Sequence, residues 1–237
     1  MGTPITTDGR GTATWRRFGD HVARDVLARR PERAGDLGLD ALCVVVFGAL
    51  AGVAIGLWTG GPHVLYVATK VPLLFGGTLL IGFPSMLVLG RLIGCPLSAE
   101  QAARLSLTTI ARTATVLGGL APASACFTLS LALGGKEHYQ TLVLTQVFAF
   151  AVAGFAGVTA LGGRLRAFMP DASARRRTVV LWIGIYSFVG AQMTWLLRPF
   201  LATPGLPLEY VRSYGPLGVE SNFYLSVWQI VGGWLTS

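Results

Sequence analysis

Five uncharged apolar stretches, residues 41–58, 71–90, 113–133, 141–161 and 178–197, make up much of the chain. A helix needs about 20 mainly apolar residues to cross about 30 Å of hydrocarbon, so each stretch qualifies as a membrane span. In a bilayer every backbone N–H and C=O must be satisfied within the protein, which leaves helices or a closed barrel. Stretches of this length without period-two alternation select helices. The charged fraction, 13% of 237 residues against about 25% in soluble domains, points the same way. The predicted fold is an all-α polytopic transmembrane bundle of five spans. It divides into a basic segment 1–40, a membrane bundle 41–198 and an outer proline-rich region 199–237.

The formal charge of +8 does not indicate nucleic acid, because the basic residues fall in bursts between spans. Successive polar segments carry seven, one, three, one, five and two Lys or Arg. Positive excess stays with the cytoplasm, which predicts a cytoplasmic N-terminus and an outer face for the chain beyond Leu197. No cleavable leader is expected, since a polar segment precedes an apolar run of spanning length. The three cysteines, Cys43, Cys95 and Cys126, lack metal or redox spacing and read as small apolar fillers.

Within 1–40, Trp15, Phe18, Val22 and Val26 recur at helical spacing, while Asp20 and Asp25 precede Arg24 and Arg29 by four residues. An amphipathic helix on the inner leaflet fits this pattern, as does a solvated tail that enforces orientation. Ser98 and Gln101 form a capping-box pair, predicting a helix that starts in an inner loop and runs past Arg104 and Arg112 into the third span.

Lipid tails give helices no hydrophobic reason to associate, so close packing of small residues must hold the bundle. Gly48, Gly52 and Gly56 repeat every four residues in the first span, and Ala149, Ala153 and Gly157 line the fourth. Packing within the chain is the simpler reading of the glycine row, and a self-association face is the alternative. Pro84 and Pro122 each remove a ladder hydrogen bond and are expected to kink the second and third spans.

A buried intramembrane charge would mark a functional site, and none is expected here. All carboxylates, with His21, His63 and His138, are assigned to tails or loops. No zinc-protease or nucleophile-elbow motif is present, so no catalytic residue, metal or cofactor is predicted. The strongest polar groups inside spans are Gln146 and Gln192. At 1.5 Å per residue both lie some 7–9 Å below the outer surface, a depth that suits an interhelical contact. Lys70, expected at the outer start of the second span, is assigned to headgroup contact.

Beyond the fifth span, four prolines between Pro199 and Pro216 exclude a continuing helix. Residues 221–235 would span about 22 Å as a helix, short of a crossing, and read as an interfacial or re-entrant helix, with a sixth span as the alternative because no terminal charge sets its side. The stretches KVPLLFGGTLLIGFP (70–84), LSAEQ (97–101), LAP (120–122), QMTWLLRPFLATPGLPLEYVR (192–212) and ESNFY (220–224) resemble a family of small bacterial polytopic membrane proteins without an assigned activity. The five-span plan is also similar to that of Yip1-type proteins, which implies membrane organisation. The resemblance implies a bacterial inner membrane location.

The functional expectation is a non-enzymatic membrane scaffold or accessory subunit. Its partners would be the lipid bilayer and a membrane protein or a second copy of itself, with Arg198, Glu209, Arg212, Glu220, Asn222 and Tyr224 as the partner surface. The alternative is a channel or carrier through the Pro84 and Pro122 breaks, which requires a polar cavity lined by Thr78, Ser85, Ser124 and Gln146.

Overall fold

The computed structural model describes residues 9–23, 37–135, 138–197 and 200–201. The described residues form helices α1 (Gly9–His21), α2 (Leu37–Gly56), α3 (His63–Leu92), α4 (Ala99–Gly119), α5 (Ala121–Leu133), α6 (Tyr139–Phe168) and α7 (Ala172–Leu196). Helices α2, α3, α6 and α7 are each long and apolar enough to cross a membrane, and α4 with α5 qualifies as a fifth, broken span. The partner surface expected at Arg198 to Tyr224 and the C-terminal helix expected at 221–235 lie outside the described residues.

The break between α4 and α5 has a local cause. Pro122 sits in the first turn of α5, where its missing N–H belongs to the group of donors that lack a helical partner anyway. Continuing α4 through it would strand a carbonyl one turn earlier and press the ring against it. The chain turns at Leu120 instead, and the two helices meet at 47°. Helix α3 runs as one element through both Pro72 and Pro84. At Pro72 the pyrrolidine ring is accommodated by α2, where a Cβ at Gly48 would come 3.3 Å from its Cγ.

The capping box at the start of α4 is formed in both directions. Gln101 N–H donates to Ser98 Oγ at 3.2 Å, and Ser98 N–H donates to Gln101 Oε1 at 2.9 Å. At the start of α7 the Asp171 carboxylate accepts from the N–H groups of Ser173 and Ala174 at 3.0 and 3.2 Å. These bonds, led by that from Ser173 N–H, hold its carboxyl below the ordinary aspartate range.

Three clusters stack along the bundle. At one end Met86, Leu97, Leu105, Leu165 and Met169 join the end of α3, the start of α4 and the end of α6 around Trp182 of α7. Next, Phe18 of α1 packs with Cys43, Val44, Ile110 and Ala114. At the opposite end Ala51, Ile55, Val67, Val71, Leu117 and Ala153 pack with Phe200 and Leu201. Helix α1 therefore turns Phe18 and Val22 toward α2 and α4, while Trp15 stays exposed.

Candidate functional site

The glycine row of α2 is spent on α3. A Cβ at Gly52 would lie 2.6 Å from the Ala68 Cα and also against the Val67 carbonyl, and one at Gly56 would lie 2.7 Å from the Val64 Cα. Gly157 of α6 instead faces the Thr113 side chain of α4, and Ala149 and Ala153 are buried in the cluster around Leu117.

Two charged residues occupy positions that hydropathy alone misplaces. Asp40, expected in the N-terminal segment, lies in the first turn of α2 and is completely buried. The helix N-terminus there favours a carboxylate. Its Oδ1 is 2.9 Å from His21 Nε2 of α1, and its Oδ2 is 2.7 Å from Thr108 Oγ1 of α4. Thr108 has a single hydroxyl proton and also lies 2.8 Å from the Arg104 carbonyl, so it serves Asp40 and its own helix in turn. His21 is also buried, which corrects its assignment to an open tail. The sequence signal was present: Phe18, His21 and Val22 share one face at i, i+3 and i+4.

Lys70 departs from its expected headgroup position. Helix α3 begins at His63, so Lys70 lies seven residues inside it, on the inward face shared with His63, Val67 and Val71. Its Nζ is 5.9 Å from the centre of the Phe200 ring, a cation–π geometry. His63 Nε2 donates to the Phe200 carbonyl at 3.2 Å, since a carbonyl only accepts. The chain leaving α7 is thereby tied to the first two turns of α3.

Gln146 and Gln192 do not form the expected pair. Ser124 Oγ donates to Gln146 Oε1 at 3.0 Å, and Gln146 Nε2 donates to Thr128 Oγ1 at 3.2 Å, so the amide clasps α5 rather than α7. This contact holds α5, the second half of the broken span. Replacing Gln146 by Leu is expected to cost about 0.6–2 kcal/mol, read as an earlier unfolding midpoint in detergent. Gln192→Leu is expected to leave that midpoint unchanged; the reverse ranking would refute the clasp.

A cavity of about 740 Å³ opens between α3, α4, α6 and α7. Its walls include Phe75, Phe150, Phe155, Ile183 and Tyr186. That volume is within the range of small-ligand sites. Helix α7 packs chiefly on α3 and only lightly on α6, so the mouth faces outward between α6 and α7, where Phe155 is 72% exposed. Ser124 and Gln146 are elsewhere, and Ser85 is exposed outside the cavity. The polar lining expected for a solute pathway is thus not assembled among the described residues.

Three residues of the cavity wall, Thr78, Trp182 and Tyr186, carry a buried polar atom without a hydrogen-bond partner. Most hydroxyls within these helices donate to a carbonyl four residues back, as Thr109, Thr113 and Thr194 do on the same walls. Thr78 Oγ1 has no such bond, and neither does the donor-only indole nitrogen of Trp182. Both residues are more than nine-tenths buried, with exposures of 7% and 2%. No family model, curated protein or solved structure matches the chain.

Proposed function

We propose that the protein is an integral membrane scaffold or accessory subunit that acts through contacts inside the bilayer and performs no catalysis. The observation that carries this reading is the imbalance of burial between spans. In α2, 44% of the apolar window is buried within the bundle, whereas in α7 it is 6%, leaving Val180 and Phe188 on an open face, and α6 likewise exposes Leu144 and Phe148. An open apolar face of this kind suits another transmembrane helix, from a second copy or from a partner protein. The alternating basic segments support a cytoplasmic N-terminus, the resemblance to bacterial polytopic proteins suggests a bacterial inner membrane, and the five-span plan similar to Yip1-type proteins suggests a role in membrane organisation.

Mild-detergent extraction followed by crosslinking and mass measurement tests the proposal. The expected particle contains a second copy or a stoichiometric partner, and the pair Val180→Ala and Phe188→Ala disperses it. A strictly monomeric, partner-free particle in lipid nanodiscs would overturn it. The solute-pathway alternative lacks a polar route among the described residues, and proteoliposomes are expected to show no flux above empty vesicles.

A further inference from the structure

A second hollow adjoins the mouth of the apolar cavity. Toward the arginine-rich ends of α6 and α7, a groove of about 450 Å³ is lined by Gly162, Gly163 and Arg166 of α6 and by Arg175, Arg176 and Val179 of α7. On α6 the groove reaches back to Thr159 while the cavity extends to Leu161, and on α7 the groove reaches Val180 where the cavity begins at Trp182. One cleft between the same two helices thus passes from three guanidinium groups to an apolar chamber. Trp182, whose indole nitrogen lacks a hydrogen-bond partner, lies at the arginine end of that chamber.

We propose that this cleft binds one anionic glycerophospholipid, its phosphate at Arg166, Arg175 and Arg176 and one ester and acyl chain in the cavity beneath. Each part of that ligand answers a feature of the site. Guanidinium groups present forked donors that match phosphate oxygens. Carbonyl oxygens of the ester are acceptors only, and Trp182 Nε1, about 9 Å along α7 from Arg176, can donate to them. A buried donor left without an acceptor is costly, so an acceptor arriving with the lipid is favoured. The walls beyond Trp182 carry no charge and suit a hydrocarbon chain. Entry needs no opening of the bundle, because the mouth faces outward between α6 and α7. Gly154 contributes to the chamber's size: a Cβ there would meet nothing within 4 Å. The inference does not depend on the scaffold reading, since a lone protein can hold such a lipid equally well.

A phosphate head on an apolar chain also describes a polyprenyl phosphate, which has no ester carbonyl, and the test separates the two. Full-length protein in dodecyl maltoside is titrated with phosphatidylglycerol brominated on its acyl chains, and the Trp182 signal is taken as the difference between wild type and Trp182→Phe. Bound lipid is also counted by native mass spectrometry, which does not need the Trp182 variant. The expected result is saturable quenching with one lipid bound, and weaker binding of brominated phosphatidylcholine. Arg166→Gln and Arg176→Gln are each expected to weaken binding about fivefold. Gly154→Phe is expected to abolish binding with the unfolding midpoint unchanged, while Gly184→Phe, on an exposed site with equal room, leaves binding intact. Equal affinity for phosphatidylcholine, tighter binding of polyprenyl phosphate, or undiminished binding in a folded Gly154→Phe protein would each overturn the proposal.

Discussion

Replacing Asp40 by Ala is expected to cost about 3–5 kcal/mol, the range found when one partner of a buried charged contact is removed. Three helices meet at this carboxylate: α1 through His21, α2 by its own first turn, and α4 through Thr108. Alanine takes the acceptor from both neighbours and gives no bond back. Thr108 can fall back on the Arg104 carbonyl, so the damage concentrates on His21 and on the docking of α1. Phe18, stacked at 6.1 Å on Phe47, then remains as an apolar anchor of α1. The expected phenotype is therefore twofold: a lower unfolding midpoint, and faster hydrogen exchange and protease cleavage confined first to residues 9–23. Asp40→Asn keeps an acceptor and should fall between wild type and alanine. A double-mutant cycle with His21→Ala should show strong coupling, and additive effects would remove the pair from the account.

Local and one-dimensional features were legible in the sequence, and features set by how helices face one another were not. A run of some twenty apolar residues reports its solvent whatever its neighbours are, which is why the spans appear close to where hydropathy puts them. The Ser98 and Gln101 capping box is equally local, closing over four residues. Asp40 and Lys70 escaped because an apolar window assigns a charge at its edge to the rim. Each helix in fact starts several residues before its apolar run, at Leu37 and at His63, which carries those charges inside. Gln146 and Gln192 failed for a different reason. Depth along the membrane can be counted in residues, but azimuth cannot, and α6 meets α7 only lightly. The cavity follows from that same splay of α7 from α6. No periodicity in either helix announces a gap between them.

The glycine row provides the second large effect, because the sequence identifies its face and the structure supplies the neighbour. Gly52→Val is expected to destabilise the bundle by about 1–3 kcal/mol or more, the usual cost of forcing extra atoms into a packed contact. The first added carbon would lie 2.6 Å from the Ala68 Cα, and the group it strikes is main chain, which has no rotamer to move to. Helix α2 must therefore back away from α3 as a unit, opening the contacts of Ala51 and Ile55 with Val67 and Val71. At Gly48 a Cβ would come 3.3 Å from the Pro72 ring, a contact that a small shift relieves. The predicted order of damage, measured as unfolding midpoints of alanine variants in one detergent, is Gly52 worst, Gly56 next and Gly48 least. If the row served mainly to join copies of the chain, substitutions would instead lower oligomer mass while leaving the monomer's midpoint in place. That outcome would contradict the helix contact described here.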